Sequence, residues 1–481
     1  MYRKYDTSLA AQCSLRRNQT EIDRHGRRED LLMSRREIKS EDNNSVDYSE
    51  SHITNVLRGL VNCNGEKFNE YLFEFKTMCE NVRSTCSNVD MFYEKVQNSL
   101  TVKRLLQVLT TADTEMTKNV IISVFINLTF SQACLKQMLD NQLEYIVLPL
   151  LSTPHQTNVL WLYANLSGEN AETRDSVYSA TKETLLQMYQ TDCLKASSVE
   201  LIRLISNFCR FKPHISFEGF DGFFKILMDS LRVSNDNAKC VLSAFLNLVD
   251  SDEAVHRYES NILSVIVYGI NNSDLELFDI IVNFIGDIVY RTDNYIDTFI
   301  QRELMERMIT ALQVGDENVS KDVLWCLSNI VASNLTSVHN KIEQTGIVKL
   351  LIEMLLCNTT ANKLRYEVAW CFVNILSILD EEEITRVVQH QNFFEAMKAV
   401  TFIQIKRKDE KSSLMEFFLQ SVRKILTIGN IHSVNGYNIY ASSIEENKLS
   451  DIIFSFIDDC ELSLDVSEEA REITEKYFCD N

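Results

Sequence analysis

Glycine and proline are scarce in this sequence. Among its 481 residues there are only 12 glycines and 3 prolines. Because all-β folds and loop-rich enzymes need many turn residues, this shortage favours long helices joined by short connections. The 13 cysteines include no Cys-x-x-Cys pair, and the N-terminus MYRKYDTSLA has no apolar signal segment. We therefore expect reduced thiols and a location in the cytosol or the nucleus.

Long hydrophobic runs and catalytic motifs are also missing. No apolar run reaches the roughly 18 residues needed to cross a bilayer, so membrane insertion is not expected. The sequence has no Gly-x-Gly-x-x-Gly, no Gly-x-x-x-x-Gly-Lys and no His-Glu-x-x-His, and its eight histidines are scattered. We expect neither enzymatic activity nor a cofactor or metal.

Negative charge dominates most of the chain, whose net charge is -20. Residues 1–40 carry ten Lys/Arg and six Asp/Glu, whereas the rest of the chain carries 38 and 62. An acidic body repels phosphate backbones and attracts basic partners, so nucleic-acid binding is not expected. The basic N-terminal segment predicts a second partner, or a segment that folds back on the acidic body.

One kind of helical segment recurs along the chain, as in VLWLYANLSGEN (159–170) and EVAWCFVNILS (367–377). Anchored on an Asn or Asp, successive spacings are 38, 42, 40, 40, 42 and 45 residues. This is the period of armadillo and HEAT repeats. It predicts an all-α, right-handed superhelical armadillo solenoid of about ten repeats with one extended concave surface. The anchors are Asn127, Asn165, Asn207, Asn247, Asp287, Asn329 and Asn374.

The pattern divides the chain into four parts. Residues 1–40 form a flexible basic segment, and 41–52 form a short, acidic, flexible linker. Residues 53–430 are predicted to hold repeats 1 to 9. Residues 431–481 are predicted to form the last repeat.

Each of the three tryptophans is followed four residues later by asparagine. A single tryptophan is usually a core residue. At about 100° per residue, however, the apolar stripe through Val323, Leu327 and Val331 lies opposite Trp325 and Asn329. The pattern predicts indoles held off the core face, each with an amide one turn beyond. The pairs are Trp161 with Asn165, Trp325 with Asn329, and Trp370 with Asn374.

Such pairs are suited to an extended basic peptide. An Asn amide can hydrogen-bond both the N–H and the C=O of a peptide backbone. Between adjacent indoles, the methylene stems of Lys or Arg can stack, with a cation–π contribution of roughly 0.5 to 2 kcal/mol each. Carboxylates at the rim would meet the charged tips. Candidates are Glu169, Asp293 and Glu367, each of which alone is also typical of a solvated surface charge.

Three stretches resemble the importin α family, the adapters that carry proteins with basic nuclear localisation signals. VLWLYANLSGENAETRDSVYSATKETLLQMY (159–189) resembles the third armadillo repeat of that family. NGYNIYASSIEENKLSDIIFSFIDD (435–459), followed by EEAREITEKYF (468–478), resembles its tenth repeat. LRRNQTEIDRHGRREDLLMSRREI (15–38) resembles its importin-β-binding segment. The positions matched in that segment are Arg28, Glu29, Asp30, Leu32, Arg35 and Arg36.

The resemblance implies a nuclear import adapter that links cargo to importin β and shuttles between cytoplasm and nucleus. It further implies an export receptor at the C-terminal repeats and indirect contact with nuclear pore components. Importin β would be bound through Arg24, Arg27, Arg28, Arg35 and Arg36. The family's major signal site would hold Asn127, Trp161, Asn165, Glu169 and Asn207. Its minor site would hold Asp293, Trp325, Asn329, Glu367, Trp370 and Asn374.

The chain departs from the family where the major site loses two indoles. Ser123 and Arg203 stand at the tryptophan positions of the family's second and fourth repeats. Lys136 falls near the position where the family has a threonine that contacts the signal's lysine. We therefore expect the minor site to carry more of the cargo affinity. Ser34-Arg35-Arg36 replaces the family's self-inhibitory Lys-Arg-Arg, which predicts weak self-inhibition. The alternative is a divergent armadillo scaffold with weak or no signal binding.

Overall fold

The computed structural model describes residues 48–478, except 86–88, 195–197, 249–251, 292, 315–316, 334 and 434–436. Its regular structure is entirely helical within these described ranges, and no strand occurs in them. This confirms the predicted all-α class. The described residues fall into two compact units, which we call the N-terminal unit (48–262) and the C-terminal unit (263–478).

The N-terminal unit is a succession of helices with short connections. Its described helices are α1 (Glu50–Asn62), α2 (Gly65–Thr85), α3 (Val89–Gln97), α4 (Thr101–Thr111), α5 (Glu115–Leu128), α6 (Gln132–Asp140), α7 (Leu143–Ile146), the 3-10 helix η1 (Leu148–Ser152), α8 (Gln156–Ser167), α9 (Ala171–Gln190), α10 (Val199–Phe208), α11 (Asp221–Ser230) and α12 (Asn235–Leu248). The boundary between the units falls within α13 (Asp252–Ile270).

The C-terminal unit is also a succession of helices with short connections. Its described helices are α14 (Leu275–Arg291), α15 (Ile296–Ile300), α16 (Leu304–Val314), α17 (Glu317–Val331), α18 (Thr336–Thr345), α19 (Ile347–Leu356), α20 (Asn362–Ile378), α21 (Glu381–Val388), α22 (Phe393–Thr401), α23 (Lys408–Ile431), α24 (Ile439–Glu446), α25 (Leu449–Ser455) and α26 (Leu464–Tyr477).

One helix of each recurring group packs against its counterparts in the groups before and after it. In the N-terminal unit these are α2, α5, α8, α10 and α12, and in the C-terminal unit α14, α17, α20, α23 and α26. We call them the ladder helices. Every anchor residue of the sequence period lies on a ladder helix, from Asn127 on α5 to Asn374 on α20. The sequence period therefore corresponds to the interval between ladder helices.

Side-chain caps and one glycine set several of the short connections. Asn170 caps α9 by accepting a hydrogen bond from the Thr173 N–H at 3.0 Å, while the Thr173 hydroxyl accepts one from the Asn170 N–H. Asp380 and Glu383 form the same reciprocal box at α21. Between α18 and α19, Gly346 has a φ of 65°, a left-handed conformation that costs glycine little. These local signals end one helix and begin the next within a few residues.

Helix ends lie close to two of the predicted domain boundaries. The first described helix, α1, begins at Glu50, inside the predicted linker 41–52, where the Ser49 hydroxyl caps it by accepting from the His52 N–H. At the other end, α23 continues to Ile431, just past the predicted boundary at residue 430. The predicted basic segment 1–40 lies outside the described residues.

Candidate functional site

Trp161 and Asn165 lie one turn apart on α8, as the sequence predicts. The Trp161 side chain is half-buried. Its indole nitrogen is enclosed and has no hydrogen-bond partner. Asn165 is almost fully buried, and its amide N–H donates to the Thr129 hydroxyl, just after α5, at 3.1 Å. Asn165 is therefore fixed to the residue that follows the preceding ladder helix rather than projecting freely.

The same bridge recurs in both units. Asn207 on α10 donates from Nδ2 to the Ala164 carbonyl of α8 at 2.6 Å. Asn329 on α17 donates to the Gly286 carbonyl of α14 at 3.4 Å, and Asn374 on α20 to the Ser328 hydroxyl of α17 at 2.6 Å. An amide has two N–H groups and one carbonyl oxygen. The bridge uses one N–H, so any contact with a peptide has to use the second N–H and the oxygen.

Asn127 differs from these four asparagines. Its Nδ2 donates to the Ser123 carbonyl within its own helix, at 2.9 Å. The first anchor therefore does not bridge to the helix before it. Ser123 donates from its hydroxyl to the Asn119 carbonyl at 3.0 Å. Because neither Ser123 nor Asn127 is aromatic, this position has no ring on which a cation could stack.

Two of the three indoles are more enclosed than the sequence predicts. Trp325 and Trp370 each expose only 6% of their surface, although both were expected to stand off the core face. The reason is the reach of the indole toward a neighbouring ladder helix. The Trp370 ring meets the Phe417 ring of α23 edge to face, with centroids 5.5 Å apart. A helical wheel places these rings opposite the core stripe of their own helix, but adjacent helices also cover them.

Trp325 owes its position to a glycine on α14. A methyl group added at Gly286 would lie 1.8 Å from Cζ3 of the Trp325 ring. The indole therefore lies directly against the backbone of α14, which any side chain would prevent.

Gly286→Ala is accordingly expected to displace the Trp325 ring and lower the free energy of unfolding by about 1 to 3 kcal/mol. Urea unfolding followed by tryptophan fluorescence measures this loss. In a Trp325→Leu background the ring is gone, and the same alanine should be neutral or slightly stabilising because alanine favours helices. An equal loss in both backgrounds would contradict the contact.

The three predicted acidic residues are placed separately. Glu169 follows α8 and accepts a hydrogen bond from the Gln132 side chain at 2.7 Å. Asp293 is exposed just after α14, and Glu367 is half-buried on α20, three residues before Trp370. Glu169 thus belongs to the N-terminal unit and the other two to the C-terminal unit.

Further polar bridges between ladder helices escaped the sequence reasoning. Asn283 of α14 donates to the Asp322 carboxylate of α17 at 2.9 Å, and Asn158 of α8 donates to the Asn119 side-chain carbonyl of α5 at 2.7 Å. The sequence did hold a clue to the Asn283 bridge. Asn283 lies four residues before the anchor Asp287, the same spacing that separates each tryptophan from its asparagine.

The end of α20, the helix that carries Trp370, is capped by a lysine. Lys424 of α23 donates from Nζ to the carbonyls of Ser377 and Leu376, at 2.8 and 3.3 Å. Burial lowers the pKa of Lys424. The ammonium group of Lys424 therefore links α23 to the end of α20.

The two positively charged residues that differ from the family's pattern, Lys136 and Arg203, lie in different environments. Lys136 on α6 is exposed, whereas Arg203 on α10 is half-buried. Nε of Arg203 is enclosed and has no hydrogen-bond partner. The predicted importin-β contacts Arg24, Arg27, Arg28, Arg35 and Arg36 lie outside the described residues.

In the described ranges, no helix is long and apolar enough to span a bilayer. The same ranges contain no group of three or more His, Cys, Asp or Glu side chains placed to hold a metal ion. Their ten cysteines are free thiols.

Comparison with known proteins identifies the fold and nothing finer. No protein-family model matches the sequence, and no curated protein matches it. The structure is similar to the crystal structure of an engineered protein from the Northeast Structural Genomics Consortium. The two share 16% sequence identity and a TM-score of 0.63, over 89% of this chain and 99% of that one. This chain therefore has an all-helical, repeat-like fold similar to that of the engineered protein.

Proposed function

We propose that this protein is a nuclear import adapter of the importin α type, whose ladder helices belong to armadillo repeats stacked as a solenoid in each unit. It would bind lysine- and arginine-rich signal peptides along the ladder helices and link the cargo to importin β. The observation that carries the proposal is the repeated placement of a tryptophan one turn before an asparagine fixed by an interhelical hydrogen bond. This occurs at Asn165, Asn329 and Asn374, with donor–acceptor distances of 2.6 to 3.4 Å.

The chemistry of this arrangement suits a basic, extended ligand. Fixed amides lose little conformational freedom when they bind a peptide backbone, which lowers the entropic cost of binding. Indole faces attract the cationic ends of Lys and Arg and cover their methylene stems. The net charge of -20 steers basic ligands toward the protein over longer distances.

The N-terminal segment supplies the second half of the proposal. Its arginines would dock as a basic helix in an acidic importin β, and the C-terminal repeats would take an export receptor. The protein would then shuttle between cytoplasm and nucleus. These partners come from the resemblance of residues 15–38 and 435–478 to the family.

A second candidate is an armadillo scaffold that does not read basic signals. The specific observation in its favour is the 6% exposure of Trp325 and Trp370. Rings used only to pack neighbouring ladder helices need not face a ligand. In that case the Trp and Asn pairs are a device for stacking repeats.

Calorimetry with a lysine-rich signal peptide tests the proposal. The full chain is expected to bind this peptide at least tenfold more tightly than a matched peptide whose lysines are alanine. The difference reflects loss of roughly 1 to 2 kcal/mol for each stacked cation. Equal, weak binding of both peptides would favour the scaffold.

Removal of residues 1–40 separates the two candidates independently. It should reduce capture of purified importin β at least tenfold in a pull-down, because ten of the Lys and Arg residues go with it. Binding of the lysine-rich peptide should survive. A truncated chain that captures importin β as well as the full chain does would contradict the adapter.

A further inference from the structure

Arg203 occupies the position on α10 that Trp161 occupies on α8. Each precedes by four residues an asparagine whose amide N–H donates to the preceding ladder helix, Asn207 to the Ala164 carbonyl and Asn165 to the Thr129 hydroxyl. The two helices pack directly against each other. Arg203 and Trp161 therefore occupy equivalent positions on neighbouring ladder helices of the N-terminal unit.

Arg203 is a partly desolvated cation without a partner. Its side chain is half-buried, and its enclosed Nε makes no hydrogen bond. The nearest acidic residue before it on the same helix, Glu200, accepts instead from the Ser198 hydroxyl at 2.7 Å. Leaving a buried N–H of a charged group unpaired is costly, and a cation partly removed from water favours an anionic partner.

Several other arginines of the N-terminal unit have hydrogen-bond partners. Arg174 donates to the backbone carbonyls of Phe211 and Pro213, and Arg257 holds the Asp221 carboxylate with two hydrogen bonds. Arg210 donates to the Gly168 carbonyl at 3.1 Å. Of the described arginine side chains in this unit that are at least half-buried, only Arg203 has no partner, and the exposed Arg58 and Arg232 have none either.

We propose that Arg203 binds an oxyanion side chain, a carboxylate or a phosphate, of a peptide lying along α8 and α10. The planar guanidinium matches the two oxygens of either group. This inference rests on the proposed function, since it assumes a peptide in that place. The N-terminal unit would then prefer signals in which an acidic or phosphorylated residue adjoins the basic ones.

Four types of peptide test the site on the full chain by calorimetry and thermal unfolding. Three share a lysine-rich frame and carry Ser, Glu or phosphoserine, placed at each position of the frame in turn. The fourth carries phosphoserine in a Gly/Ala frame without lysine. Arg203→Gln removes the proposed contact, and Arg232→Gln removes the same charge from an exposed residue of the same unit.

The expected result is a position where phosphoserine or Glu binds the wild-type protein at least tenfold more tightly than Ser does. Arg203→Gln should abolish that preference and leave affinity for the Ser peptide within about twofold, whereas Arg232→Gln should keep the preference. Whether Glu or only phosphoserine is preferred identifies the oxyanion. A preference that survives in Arg203→Gln, or equal binding of all three peptides at every position, would overturn the proposal.

The lysine-free peptide distinguishes failure of this site from failure of the proposed function. If lysine-rich peptides do not bind, the proposed function is wrong. The Arg203 site then still stands if the lysine-free phosphopeptide raises the Tm of the wild-type protein and not that of Arg203→Gln. Equal shifts in both proteins, or none in either, would rule the site out.

Discussion

Replacing Trp325 and Trp370 together by alanine is expected to weaken the binding of a lysine-rich peptide about 100-fold, and Trp161→Ala about tenfold. Each indole stacked on a cation contributes roughly 1 to 2 kcal/mol, and about 1.4 kcal/mol corresponds to a factor of ten. Trp161 has no aromatic neighbour at the equivalent positions, which are Ser123 and Arg203. The C-terminal unit retains two consecutive indoles and so should dominate. Calorimetry measures both losses.

The burial of these rings requires a control for stability. Truncation of a buried tryptophan to alanine commonly costs about 3 to 5 kcal/mol. Phe372→Leu, on the same helix as Trp370 but fully buried in packing against Phe393, should lower stability without changing peptide affinity. The pair Trp325→Phe and Trp370→Phe keeps most of the packing and should lose roughly tenfold, because Phe is a weaker cation–π partner than Trp. A larger loss for Trp161→Ala than for the double alanine variant would refute the ranking.

Periodicity correctly predicted the all-helical class and the core faces. On α17, Val323, Leu327 and Val331 are fully buried, as their spacing on a 3.6-residue helix requires. The interval of about 40 residues matches the spacing of the ladder helices, which pack on one another in succession within each unit. Both signals are local or strictly periodic, which is why one sequence suffices to read them.

Contacts between ladder helices could not be predicted from a helical wheel or from the sequence period. A helical wheel shows that Trp325 lies opposite the core stripe, but it does not show that Gly286, 39 positions earlier, leaves room for the ring on α14. The asparagine bridges, such as Asn374 to Ser328 at 2.6 Å, likewise depend on the approach of two helices that are separate in sequence. One N–H of each predicted amide is already used in a hydrogen bond within the protein. The site is therefore stiffer and more enclosed than its pattern suggests.

Arg174→Met is expected to lower the free energy of unfolding by about 3 kcal/mol, the largest stability loss we predict for a polar residue. Arg174 on α9 is 1% exposed, and its guanidinium donates to the carbonyls of Phe211 and Pro213. Methionine fills much of the space but leaves both carbonyls unpaired away from water. Urea unfolding of the full chain measures the loss.

The same substitution connects stability to the site. Residues 211–213 follow α10 after two intervening residues. Because α10 carries Arg203 and Asn207, the guanidinium holds the segment that leaves this ladder helix. Arg174→Lys should recover only part of the stability, because one ammonium group cannot reproduce the planar fork. Asp175→Asn, whose carboxylate pairs with Arg174 but is 54% exposed, should cost less than about 1 kcal/mol. If Asp175→Asn proved as damaging as Arg174→Met, the ion pair and not the two carbonyls would be what holds α10 in place.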